Sequence, residues 1–263
     1  MSRMPDGLSK VERLASALDQ ALCTGMPIAQ WTGTAAITLQ EAYAVQALGM
    51  AQRCRRGDRK VGLKLAFTNR KAMAHLGVNA PVYGVLSAAM QVPDGGQLAL
   101  QGLIRPRGEP EIAFLLSRRL DGAASLDQAL RAVQSVAAAV EIIDSRYRDF
   151  RFSPADVVAD NASACAFVLG PWQRPSMELG ALTVEVELDG KLVAQGSSAS
   201  ILDHPLQALL AAARLASDAG HPLEAGTIVL SGSATEPVVL SAGSHMAVHF
   251  AQLGSVGFSV GPN

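Results

Sequence analysis

Aromatic residues are scarce in this 263-residue chain, at 5%. So few rings argue against the stacking platforms that hold single-stranded nucleic acid. Charge is thin as well: 17% of residues are charged and the net charge is −1. That removes the basic footprint of a nucleic-acid binder and the signature of a disordered chain. The three cysteines, Cys23, Cys54 and Cys165, form no C-x-x-C pair. Their scatter disfavours a zinc or disulfide framework and fits a reducing, cytoplasmic setting. No apolar run is long enough to span a membrane, and Met1 to Gly7 carry no signal-peptide core. Ser197-Ser198 and Ser231-Gly-Ser233 lie outside any G-x-S-x-G elbow, which argues against a serine hydrolase. Gly95-Gly96 is followed by no Lys-Ser/Thr, so it reads as a turn and not a phosphate loop. His245 and His249 share a strand face but lack a third ligand, and read as surface residues.

What the chain has is apolar material, 49% of residues, ample for a core. Apolar spacing predicts a helix over residues 8–23. Thr38-Leu-Gln-Glu41 is a capping box that opens a second helix to about Arg53, with Ala42, Val45, Leu48 and Met50 as its stripe. Residues 1–58 thus read as a helical region and residues 59–263 as one mixed β unit. Val61 to Phe67 predicts a strand, Thr68 to Gly77 a short helical stretch, and Pro81 to Leu86 an extended segment. A second capping box, Ser125-Leu-Asp-Gln128, predicts a helix to about Ala138, followed by a strand over residues 140–147. Ala164 to Leu169 reads as a buried strand. Leu182 to Leu188 alternates and turns at Asp189-Gly190 into a hairpin. Pro205 to Ala219 predicts a helix, and Thr227 to Thr235, Met246 to Phe250 and Ser255 to Val260 predict strands. The fold class is α+β, with a mixed, partly closed sheet.

The informative stretch is Arg107-Gly-Glu-Pro-Glu-Ile-Ala-Phe-Leu-Leu116. Residues i and i+2 of a strand face one side, about 6–7 Å apart. Glu109 and Glu111 therefore point together from an otherwise oily strand, where like charges repel and desolvate at a cost. A divalent cation between them removes both problems; the plain alternative is a pair of solvated charges guarding a sheet edge. Glu141 repeats the oddity, and Lys64 stands inside another apolar strand. The three glutamates form an oxygen-ligand set suited to magnesium or another hard ion, with room for a bidentate ligand.

Gly62-Leu-Lys-Leu-Ala-Phe-Thr-Asn-Arg70, Leu76-Gly-Val-Asn79, Glu109-Pro-Glu-Ile-Ala-Phe-Leu115, Glu141-Ile-Ile-Asp-Ser-Arg146, Asp160-Asn-Ala-Ser163, Val168-Leu-Gly170 and Leu230-Ser-Gly-Ser233 occur in that order. In these motifs the chain resembles the 2-keto-4-pentenoate hydratase / 4-oxalocrotonate decarboxylase group of the fumarylacetoacetate-hydrolase superfamily. The resemblance covers nearly everything beyond residue 35. It implies mixed strands rolled into a barrel-like core with an N-terminal helical part. It implies Mg2+ or Mn2+ on Glu109, Glu111 and Glu141, with Lys64 and Ser163 at the active site; Arg70 is expected to position the substrate together with Ser163. Its setting is the meta-cleavage degradation of aromatic compounds. The partners it implies are a small 2-oxo dicarboxylic acid, further copies of the chain in an oligomer, and a homologous hydratase.

Hydratases of this group resemble G-V-x-x-P-D-[FY]-G after the lysine strand, whereas here the segment is Gly77-Val-Asn-Ala-Pro-Val-Tyr-Gly84. Val82 cannot move a proton, and a missing general acid/base removes about 10²–10⁴ in rate from water addition. Asp144-Ser-Arg-Tyr147 and the following Phe150-Arg-Phe152 also look more like decarboxylases, as does Ile104-Arg-Pro-Arg107. The expected activity is therefore decarboxylation of 4-oxalocrotonate, a carbon–carbon lyase reaction, with Val82 and Tyr83 as walls around the departing carboxylate. The alternatives are a hydratase with other proton carriers, a C–C hydrolase, for which no His/Glu pair stands near the motifs, and a silent partner subunit of a hydratase. Buried charges without work would be costly, which argues against silence.

Overall fold

The computed structural model describes residues 8–70, 73–74, 78–175 and 178–262. Residues 71, 72 and 75–77 of the helical stretch expected from Thr68 to Gly77 fall outside the described residues, and with them Leu76 and Gly77 of the Leu76–Asn79 motif. Five helices are described: α1 Lys10–Thr24, α2 Leu39–Arg55, α3 Leu126–Ala132, α4 Pro154–Ala159 and α5 Pro205–Asp218. The strands are β1 Lys60–Ala66, β2 Val82–Ser87, β3 Gln91–Val92, β4 Gln97–Leu98, β5 Arg107–Leu116, β6 Val133–Ile143 and β7 Ala164–Leu169. After them come β8 Thr183–Leu188, β9 Lys191–Ser197, β10 Ile228–Leu230, β11 Val238–Val239, β12 His245–Phe250 and β13 Gly254–Val260.

The larger sheet runs β2-β1-β10-β5-β6-β7-β3, with β11 added beside β5; the smaller runs β4-β13-β12-β8-β9. The larger sheet is curled into a half-barrel. β1 and β6 are three strands apart, about 14 Å in a flat sheet, yet Lys64 on one meets Glu141 on the other at 2.8 Å. The two-residue period of the strands divides the two faces. Ile112, Phe114 and Leu116 of β5, with Val136, Ala138, Val140 and Ile142 of β6, point outward into the main core. That core is completed by Leu206, Leu209 and Ala213 of α5 and by Val184, Met246 and Phe258 of the smaller sheet. The inward face carries an apolar floor that includes Leu86, Ala113, Ala137, Ala139, Phe167 and Leu230. A separate cluster seats α1 and α2 on α4 and β2 through Leu14, Val45, Val82, Tyr147 and Val158.

Local signals explain the helix starts. Capping boxes close the N-termini of α1 at Ser9, α2 at Thr38 and α3 at Ser125. α5 begins with a proline and is followed by Gly220 at φ +78°. Some boundaries differ from expectation. The helix opened by Ser125 ends at Ala132, and residues 133–143 are strand β6. The alanine-rich run favours helix locally, but ten residue pairs join β5 to β6 from Arg107↔Ile143 to Leu116↔Val133, and tertiary pairing overrides propensity. The strand expected over residues 227–235 is also shorter, at Ile228–Leu230, because Gly232, at φ +91°, breaks the extended backbone.

Candidate metal centre

Register brings the acids together. Glu109 on β5 lies directly opposite Glu141 on β6, and Glu111 is the next inward residue on β5. Carboxylate oxygens of all three come within 4.8 Å of one another. Glu111 and Glu141 are fully buried and Glu109 is half-buried. Like charges facing each other across a ladder are destabilising. Lys64, 1% exposed, offsets part of that repulsion through its 2.8 Å pair with Glu141 Oε2.

The electrostatics follow from the enclosure. Burial pushes Glu109 up to about 7, with Glu141 adding to the rise and Lys64 pulling against it. Burial and the neighbouring Glu141 hold Glu111 well above the usual carboxylate range. Glu141 is raised by burial against the pull of Lys64. Burial works to lower the Lys64 pKa, but Glu141, Glu109 and Glu111 outweigh it and hold the ammonium above its ordinary value.

These residues fit a hard divalent cation. Glu111 Oε1 and Glu141 Oε1 are buried without a hydrogen-bond partner, and buried polar atoms left so are costly. Three carboxylates and one ammonium carry a formal charge of two minus, which one divalent ion cancels. The other oxygen of Glu111 is fixed: the Gly232 N–H donates to Oε2 at 2.7 Å. That contact needs the turn after β10. Gly232 has φ +91°, and a Cβ there would lie 2.0 Å from Thr68 Oγ1, so glycine is required on both counts. Ser231 Oγ, accepting from the Ile112 N–H at 3.0 Å, ties the same turn to β5.

The other expected residues are distributed unevenly. Ser163 ends a turn, Asn161–Ser163, beside β2, whose three residues have φ of 53°, 50° and 58°. Left-handed backbone at a non-glycine residue costs on the order of 1 kcal/mol, so the surroundings must impose it. Val82 pairs with Ala66 on the face that carries Lys64, and is buried against the helical cluster. Tyr83, its neighbour on the strand, faces the other way. It pairs with Leu65 and stacks on Tyr43 of α2 with ring centroids 4.9 Å apart. Tyr83, expected as a wall around the departing carboxylate, thus lies on the face of β2 opposite the one that carries Lys64. Arg70 is exposed and its Nε donates to Asp203 Oδ2 at 2.7 Å. The structure does not bring it to the glutamates.

Sequence reasoning assigned no role to Arg146 and Asp160, although both stood inside quoted motifs. Arg146 Nε donates to Asp160 Oδ1 at 2.5 Å, both residues being buried. Arg146 also donates to the backbone carbonyls of Asp144 and Asp160. The Asp144 carboxylate in turn accepts from the Ile104 and Arg105 N–H groups at 2.8 and 2.7 Å. This network joins the end of β6 to the turn that carries Ser163.

A family model described as the fumarylacetoacetate (FAA) hydrolase C-terminal family matches residues 48–260. A 4-oxalocrotonate decarboxylase of Pseudomonas sp is 46% identical over 250 residues, covering 95% of this chain and 98% of that protein. A 2-keto-4-pentenoate hydratase of Burkholderia vietnamiensis is 35% identical over 254 residues, covering 94% of this chain and 96% of that protein. The fold superposes on a solved 4-oxalocrotonate decarboxylase from Pseudomonas putida, complexed with magnesium and adipate, with a TM-score of 0.91 at 34% identity. That match covers 98% of this chain and 100% of the other.

Proposed function

Because the chain belongs to the fumarylacetoacetate hydrolase family, we propose that it is a divalent-metal-dependent 4-oxalocrotonate decarboxylase. The observation that carries this reading is the 46% identity to a decarboxylase over 95% of the chain, against 35% for the hydratase relative at similar coverage. Val82 supports it: an apolar, buried side chain stands on the inward face where hydratases of this group carry an aspartate.

Glu109, Glu111 and Glu141 would hold Mg2+ or Mn2+. The bound ion supplies Lewis acidity to the 2-oxo acid end of the substrate. The rest falls to the chain's own groups. In the reaction the C5–C6 bond breaks, CO2 leaves, and the electron pair passes through the conjugated chain to the 2-oxo oxygen. The resulting dienolate takes one proton from solvent on that oxygen, giving 2-hydroxypenta-2,4-dienoate. Lys64, itself buried, keeps its proton on Nζ and stabilises the negative charge that develops. Ser163, on the turn beside Lys64, positions the substrate. Val82 withholds the proton transfer that water addition needs. The setting would be cytoplasmic breakdown of aromatic compounds by meta cleavage. The enzyme would work as a homo-oligomer and beside a homologous hydratase that consumes the enol.

The experiment is to follow 4-oxalocrotonate with purified protein, with and without magnesium, and to identify the product by mass. Magnesium-dependent loss of CO2 is the expected result. Faster addition of water to 2-hydroxypenta-2,4-dienoate would establish the hydratase reading instead.

A further inference from the structure

We propose that Asn161 is a positioning residue for Lys64: its side-chain amide fastens the left-handed turn to the free edge of β2, so that the turn holds the Lys64 ammonium against Glu141. The inference rests on the decarboxylase reading above for its substrate, but its geometry is independent of it.

β2 is the last strand of the larger sheet, so alternate backbone groups on its outer edge lack a partner strand. Asn161 supplies one. Its Oδ1 accepts from the Val85 N–H at 2.7 Å, and its Nδ2 donates to the Val85 carbonyl at 2.9 Å. Both edge groups of a single residue are thus paired by one side chain, as a neighbouring strand would pair them. The next residue in the turn, Ala162, presents its carbonyl to Lys64 Nζ at 3.0 Å. Lys64 therefore has two anchors, the Ala162 carbonyl and the Glu141 carboxylate at 2.8 Å.

The approach is close and has been given room. A Cβ on Gly84 would lie 2.3 Å from the Asn161 carbonyl oxygen and 3.1 Å from Lys64 Cδ. Gly84 pairs with Lys64 across β1 and β2, so the turn and the lysine stem meet over the one β2 position without a side chain. Three left-handed residues in succession would relax elsewhere if released. Asparagine suits the first because its short amide tolerates that region. The Arg146–Asp160 network holds the turn from the side of β6; Asn161 holds it from the side of β2. The Ala162 carbonyl is fixed between the two.

Asn161→Gly tests this, because glycine accepts the left-handed backbone and removes only the amide. With 4-oxalocrotonate and saturating magnesium, kcat should fall about 10- to 100-fold, the scale set by a misplaced reacting group. KM, magnesium affinity by calorimetry and melting temperature should stay close to those of the unaltered protein. Amide exchange at Val85, read in the metal-free protein, should become faster. Gly84→Ala, whose Cβ would press on the Asn161 carbonyl and the Lys64 stem, should also lower kcat while sparing magnesium affinity, at a cost in melting temperature, and serves if Asn161→Gly does not fold. Unchanged kcat overturns the proposal. So does a parallel loss of kcat, magnesium affinity and melting temperature, which is the pattern of general structural damage. An unaltered protein that does not decarboxylate sinks the functional reading, while faster exchange at Val85 would still support the clamp.

Discussion

Glu111 is the least comfortable residue of the cluster without a cation. It is fully buried, one oxygen is held by Gly232, and the other has no hydrogen-bond partner. Glutamine copies its shape and its neutral form. Glu111→Gln should therefore lower magnesium affinity by at least about 100-fold, while the metal-free protein keeps or gains thermal stability near neutral pH, because glutamine is neutral without having to take up a proton. Calorimetric titration and a chelator-treated melt read the two effects. A variant that loses magnesium binding only by unfolding would show that Glu111 serves the fold rather than an ion. The glutamates and Lys64 were legible in the sequence because a charged residue in an apolar strand stands out against its neighbours. The direction of the Arg70 side chain was not, since Asp203, 133 positions away, holds it. The opposite facing of Val82 and Tyr83 was legible too, since adjacent side chains of a strand face opposite sides.

At the scale of elements, β6 shows where composition misleads. Its alanines invite a helix, yet their small size is what the half-barrel interior requires. Ala139 is paired with Glu111 across the ladder and lies fully buried in the apolar floor. Ala139→Leu should destabilise the protein by about 1–3 kcal/mol through overpacking. It should also weaken magnesium binding, because the added atoms press toward Glu111. The outward-facing Ala138→Val is the comparison: it adds volume against the main core and should cost stability without changing metal affinity. Denaturant melts and calorimetry on both variants separate the two effects, and equal magnesium affinity in the pair would count against this account. Capped helices were legible from four residues each, as at Thr38 and Ser125. The end of α3 was not, because a pairing partner outside the window decides it.

For the whole molecule, folding and metal binding share the same carboxylates, so pH must act on both. Glu109 sits at about 7, above the ordinary carboxylate value of 4.5, and Glu111 is displaced in the same direction. A carboxyl raised on folding stabilises the folded chain in its protonated form. That contribution is complete below the unfolded value and is lost as pH climbs through the folded one. The metal-free protein should therefore lose stability between about pH 4.5 and about pH 7 from Glu109, with Glu111 adding a loss in the same direction. The loaded protein uses the ionised forms, and the ion must displace the proton on Glu109 to bind. Its added stability grows with the ratio of free ion to dissociation constant. The difference in melting temperature between magnesium-saturated and chelator-treated protein should thus be small near pH 5 and widen steadily toward about pH 8. In Glu111→Gln the difference should be small at every pH. A gap in the native chain that stays flat or narrows as pH rises would place the ion elsewhere than on these three carboxylates.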